Sequence, residues 1–292
     1  MKKIRKLFVN IVAMLLVAFS CLSLTACEDI KTLEIKVNVY NTTSSKMEEK
    51  TLEIDLYRHL APNTVDTIVN YVEEGYYNDT FFYVNEANGS QVMLGDLKFT
   101  ADKTIVQNLD NGKLKDAING DFEMNNVKGS NLTNAEGSVG LWRDWFVKNN
   151  YKTSDATRNS GRATWYMPTS DLSANYDGWF CVFGQFDLED GSSNHETWSA
   201  IKALLNTEND YELYTVYYTG EYNADNSVLN NGLTFNCVTS TAYADVDKDT
   251  VFKPEGEQLA GYASYQIKVP MVNKGNKTTK SIAVSISSIT VK

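Results

Sequence analysis

Between residues 50 and 84 the apolar pattern changes period twice. KTLEIDLY (50–57) alternates, with Leu52, Ile54 and Leu56 on one side, which is the two-residue period of a half-buried strand. APNTVDTIVNYVEEG (61–75) then spaces Val65, Ile68, Val69 and Val72 at i, i+3, i+4 and i+7. Pro62 suits a first helical turn and Gly75 the position just past the last one. Strand character returns in YYNDTFFYV (76–84), where the aromatic residues suit packing below the helix end and in a sheet wall. A short amphipathic helix tied closely to two strands has to bury its apolar stripe on the sheet they belong to.

The flanking sequence extends this sheet. LEIKVNVY (33–40) also alternates, through Leu33, Ile35, Val37 and Val39, and predicts a hairpin with 50–57. The polar segment NTTSSKMEE between them is longer than a tight turn, so a mobile loop is expected. SSNHETWSAIKALLNT predicts a second helix, with Ser193 or Asn194 as cap and Trp198, Ile201, Leu204 and Leu205 on one side. Short strand-like pieces lie between the helices: TFFYV, SQVMLGD, GSVGLW, ATWYMP and WFCVFGQF. Residues 208–248, rich in Tyr, Asn and Asp, show weak periodicity and receive no element. YASYQIKVPMV and KSIAVSISSITVK predict two closing strands, the last expected beside the N-terminal hairpin because a barrel lacking it exposes a long edge. The pattern is that of a mainly β fold, an antiparallel barrel closed by a helix at each end.

The first 26 residues form a separate unit. Lys2, Lys3, Arg5 and Lys6 precede the apolar run FVNIVAMLLVAFSCLSL, as in an export signal. The run ends in Leu24-Thr25-Ala26-Cys27, which resembles the lipobox of bacterial lipoproteins and implies acylation of Cys27. An ordinary secretory signal or a spanning anchor are the competing readings. The chain accordingly divides into a signal (1–26), a short tether (27–32) and one domain (33–292). Without the four leader cations, 23 Lys and Arg face 37 acidic residues, a formal charge of −14 that argues against nucleic acid as a partner. Of the cysteines beyond the anchor, Cys181 and Cys237 could pair, although Cys181 in WFCVF equally suits a small buried hydrophobe. No CxxC occurs and His59 and His195 are far apart, so neither metal nor cofactor is expected.

The order of these signals resembles the cyclophilins, the peptidyl-prolyl cis-trans isomerases. LYRHLAPNTVDTIVNYVEEGYYNDTFFYV is similar to the family's strand, AP-x-T-V helix, EGYY turn and following strand. LGD (94–96) resembles its GGD, INGDFEMNNVKGSNLTNAEGSVGLWRD its I-x-G-E-F to R-G-x-x-S-M-A-R segment, NSGRATWYM its S-x-S-Q-F-F-I strand, and YDGWFCVFGQF its LDG-x-x-x-x-FG-x-V. The resemblance covers roughly 33–205. It implies a closed antiparallel barrel capped by two helices, with an added segment of about 206–280 before the last strand.

The resemblance also implies where a site should be. Isomerisation crosses a barrier of about 18–20 kcal/mol, which falls when the prolyl nitrogen loses conjugation. The family supplies an apolar pocket for the ring and an arginine that donates toward that nitrogen. Here Tyr83 holds the arginine's place, a neutral donor where a charge-assisted one is roughly twice as strong. Met93 and Thr164 stand for the family's two glutamines, Tyr166 for its pocket phenylalanine, and Trp142 and Arg143 for the residues after S-M. Asn175 replaces the residue before LDG, and Phe180 the histidine beyond it. Each has a plainer reading: Tyr83 as a strand aromatic on the barrel surface, Trp142 as filler of the groove, Arg143 and Arg162 as solvated cations. Either arginine could alternatively stand in for the missing donor. Three functions follow as expectations: a surface-anchored prolyl isomerase or folding helper for exported proteins, a groove that binds proline-containing peptides without turning them over, or a scaffold for the added segment.

Overall fold

The computed structural model describes residues 30–85, 89–122, 132–143, 159–206, 211–219, 234–246, 264–273, 276 and 278–292. The leader, Cys27 and much of 206–280 lie outside the described residues. The chain opens with a hairpin of β1 (Ile30–Asn41) and β2 (Lys46–Tyr57), paired from Ile30↔Tyr57 to Asn41↔Lys46. The expected long loop is instead a tight turn at 42–45. Asn41 Oδ1 accepts the N–H groups of Thr43 and Ser44, and its amide donates to Glu48 at 2.8 Å. Here polar residues extend the ladder on both faces, so hydrophobic alternation gave no sign of it.

Next comes α1 (Pro62–Glu73), which buries Val65, Ile68, Val69 and Val72. Its own Ala61 offers no side-chain cap; Asp121 supplies one from across the fold, accepting Thr64 N–H and Asn63 Nδ2, both at 2.8 Å. At the other end Gly75 takes φ +72°, and Tyr76 N–H returns to the Tyr71 carbonyl, a closure that a side chain with Cβ adopts at a cost.

Short strands follow: β3 (Tyr83–Asn85), β4 (Gln91–Leu94), β5 (Leu97–Phe99), β6 (Ile105–Gln107), β7 (Ser138–Leu141), β8 (Trp165–Pro168) and β9 (Val182–Gln185), with a single-turn helix α2 (Ser173–Tyr176) before the last. Then comes α3 (Ser193–Asn206). Its first turn is capped by Ser192 Oγ, which accepts His195 N–H, rather than by Ser193 or Asn194. Asn194 is engaged elsewhere, exchanging hydrogen bonds with the backbone of Glu53 in β2.

The segment read without elements contains β10 (Tyr211–Thr219), β11 (Thr234–Thr239) and α4 (Ser240–Ala244). β10 is covered on both sides: Tyr214 and Val216 join a hydrophobic cluster, while Thr215 meets Ser240 and Tyr217 packs on Tyr243 of α4. A strand buried on both faces loses the alternation that identifies a half-buried one. The two closing strands appear as β12 (Ser264–Val272), then β13 (Ser281–Ile282) paired to it, and β14 (Val284–Val291) paired to β1 as expected.

The strands form one antiparallel sheet in the order β11-β10-β12-β3-β4-β8-β7-β9-β2-β1-β14, and β5 pairs with β6 separately. Residues just before β3 also reach β14: Phe81 bridges Ser285, Ile286 N–H donates to the Thr80 carbonyl at 2.9 Å, and Phe82 N–H to that of Val284 at 3.3 Å. Side-chain alternation sends Phe82, Val84, Val92, Leu94, Trp165 and Phe183 into one core with the hairpin, α1 and α3. Phe81, Tyr83, Met93 and Tyr166 point to the other face, where they share a second cluster with Tyr214 and Val216 of β10 and Ile267, Val269 and Met271 of β12, the strands that continue the sheet beyond β3.

Candidate functional site

Of the residues that the resemblance assigns to the groove, Tyr83, Met93, Tyr166, Phe180 and the partly buried Trp142 share the cluster on this second face. Register aligns Tyr83 with Met93, Met93 with Tyr166, and Tyr166 with Gly140 across four strands. At Gly140 a Cβ would stand 2.3–2.5 Å from the Tyr166 ring, so the missing side chain is what lets that ring cross β7. Tyr83, Met93 and Tyr166 are 1%, 2% and 0% exposed. Tyr83 is therefore not on the surface of the sheet.

Tyr83 has a specific partner. Its hydroxyl donates to the Asp96 carboxylate, 2.8 Å from Oδ1 and 2.9 Å from Oδ2. Burial raises the Asp96 carboxyl to about 6, with the Tyr83 hydrogen bond acting in the opposite direction. Redirecting this hydroxyl to a prolyl nitrogen would leave an enclosed carboxylate without its donor.

Beside this row three further rings pack around Tyr166. Tyr166 stands edge-on to Trp142, Tyr176 and Phe180, with centroids 5.8, 5.8 and 5.7 Å away. Phe180 stacks on Tyr176 at 4.4 Å and on Trp142 at 5.7 Å. The Tyr166 hydroxyl donates to Asn134, and burial holds its phenol well above the ordinary value. Asn134 is fixed in turn by Asp177, which accepts its backbone and side-chain N–H groups.

Arg143 is only 3% exposed, which corrects its reading as a solvated cation. Its guanidinium lies 5.2 Å from the Phe180 centroid and 5.7 Å from that of Phe122, and Nη1 donates to the Trp179 carbonyl at 3.0 Å. Arg162 donates from Nη1 to the Lys115 carbonyl at 2.6 Å. Thr164 is half-buried and its carbonyl accepts Trp142 N–H at 2.8 Å, which ties the two chains of the rim together. Asn175 is exposed on α2 and does not join the cluster. The fold thus gathers Tyr83, Met93, Trp142, Arg143, Thr164, Tyr166 and Phe180, and leaves Asn175 outside.

Sequence reasoning missed three participants. Tyr176 and Asp96 were quoted within motifs but given no role. Gln91 shares Met93's face, is fully buried, and neither its Nε2 nor its Oε1 has a hydrogen-bond partner. The alternation of Ile267, Val269 and Met271 was the available sign that β12 has an apolar face of its own to bury. Cys181 and Cys237 are both free thiols; Cys181 Sγ lies 3.3 Å from the Thr64 hydroxyl. Among the described residues no cluster of three or more His, Cys, Asp or Glu could hold a metal ion.

The family model for cyclophilin type peptidyl-prolyl cis-trans isomerases (/CLD) matches residues 39–212. Among solved structures, a Cryptosporidium parvum cyclophilin type peptidyl-prolyl cis-trans isomerase is similar at 15% identity and a TM-score of 0.37, with 72% of this chain and 97% of that one covered. The same parasite enzyme crystallised in the presence of the dipeptide Ala-Pro gives 15% identity, a TM-score of 0.36, and coverage of 71% and 98%. No curated protein matches the chain. The family match spans more than half of the sequence and coincides with the helices, strands and turns that carry the sequence motifs, so the chain belongs to the cyclophilin-type peptidyl-prolyl cis-trans isomerase family.

Proposed function

We propose that this chain is a lipid-anchored, extracytoplasmic cyclophilin that engages proline-containing segments of exported proteins and isomerises them far more slowly than the family norm. The observation that carries the second half is Tyr83: the donor position holds a neutral hydroxyl that is already committed to Asp96, and its ring is buried in a cluster shared with β10 and β12. The anchor rests on Leu24-Thr25-Ala26-Cys27 at the end of the apolar run. We read the sheet as a closed barrel, and the hydrogen bonds from residues 80–82 to β14 support that reading. A non-catalytic binding module is the second reading, favoured by the burial of Met93 and Tyr166 in the cluster they share with β10 and β12. Both readings leave the rim of Trp142, Thr164 and Trp179, all partly exposed, as the surface for a peptide.

Titration of an X-Pro peptide into isotope-labelled protein tests this engagement. Chemical-shift changes are expected at the Trp142 and Trp179 indoles and at Thr164, with weak affinity. Changes confined to 206–280 would instead support a scaffold for the added segment, and their complete absence would remove peptide binding from the proposal.

A further inference from the structure

Lipid at Cys27 would fix which end of the sheet meets the bilayer, and we infer that it is the end carrying Ile30, Tyr57 and the rim of the candidate site. This rests on the anchor proposed above. Ile30 follows Cys27 by three residues, and an extended chain spans at most about 3.6 Å per residue, so Ile30 lies within roughly 11 Å of the acylated residue. Ile30 opens β1 opposite Tyr57, the last residue of β2. β1 is twelve residues long, about 40 Å at ~3.4 Å per residue, which puts the 42–45 turn on the far side of the domain.

The near end has chemistry suited to a lipid surface. Ile30 is 42% exposed, and the Tyr57 and His59 rings stand edge-on 6.1 Å apart, an arrangement of apolar and amphipathic groups typical of the headgroup layer. Lys31 and the exposed Arg58 add cations, Arg58 sharing its charge with Asp66 through two hydrogen bonds.

Register then carries the site to the same end. Leu56 pairs with Gly184, Val182 with Gly140, and Leu141 with Trp165. Phe180, Trp142 and Thr164 therefore fall just beyond their strand ends on the Tyr57 side. The rim is held toward the membrane, and the polypeptides within its reach are those lying at or emerging from the bilayer surface.

The test uses the full acylated chain in phosphatidylethanolamine/phosphatidylglycerol vesicles that contain nitroxide-headgroup lipid. A fluorophore is attached through His59→Cys or through Ser44→Cys, each in a Cys237→Ser background, at positions exposed enough to accept it. Quenching at position 59 is expected to exceed that at position 44 by at least threefold. Equal or reversed quenching with the protein still on the vesicles would overturn the orientation and leave the anchor standing. Acylation-competent protein that remains in the supernatant would overturn the anchor, and the orientation with it.

Discussion

Tyr83 and Asp96 are tied to each other across the turn between β4 and β5 by the Tyr83 hydroxyl. An arginine at position 83 would place a cation beside Asp96, whereas tyrosine offers this partly buried carboxyl a neutral hydroxyl. Burial then raises the Asp96 carboxyl to about 6, above the value near 4 of an unfolded chain. Between those values the folded state holds more protons than the unfolded one, so this group's contribution to stability falls as pH rises from about 4 to about 6 and is level beyond. Asp96→Asn keeps an acceptor for Tyr83 and removes the titration. The melting temperature of wild type, relative to this variant, should drop across that window; a difference independent of pH would show that Asp96 titrates normally. The position of Tyr83 was legible from the motif around it. Its partner was not, because a hydrogen bond across a turn leaves no periodicity.

Elements were most legible where one face is buried and the other solvated. α1, with its apolar spacing, Pro62 and Gly75, lies where the sequence put it. β10 was missed because both its faces are covered, and the hairpin was shortened because its outer ladder is polar on both faces. Caps supplied from a distance are equally hidden: nothing near Pro62 identifies Asp121 as the acceptor for Thr64 N–H. Asp121→Ala should cost about 0.5–2 kcal/mol, the usual range for losing a helix N-cap. Chemical denaturation would measure it, and a loss below a few tenths of a kcal/mol would mean that another acceptor replaces Asp121.

At the scale of the whole molecule, the added segment and the terminal strand have different tasks. β14 pairs with β1 from Leu33 to Val39 and buries Val284, Ile286 and Ile289, so truncation before Lys280 should abolish soluble folding. A truncated chain that still melts cooperatively near the wild-type temperature would show the tail to be dispensable. β10 and β12 extend the sheet beyond β3 and share a hydrophobic cluster with Tyr83, Met93 and Tyr166, giving the domain a second core. The sequence showed that 264–272 is a strand with an apolar face. It did not tell where the strand docks, because apolar alternation identifies a buried face without naming its partner.

That docking is the reason to expect a family member with little catalysis, and exchange spectroscopy on an X-Pro peptide measures it directly. With the donor position neutral, committed to Asp96 and buried, wild-type protein should raise cis-trans exchange only slightly above its uncatalysed rate. Tyr83→Arg should restore little, since a guanidinium there would pair with Asp96. Each tenfold acceleration corresponds to about 1.4 kcal/mol of transition-state stabilisation. A wild-type rate several orders of magnitude above the uncatalysed exchange would contradict the closed donor position and require an accessible cation at the rim, with Arg143→Lys and Arg162→Lys identifying which one.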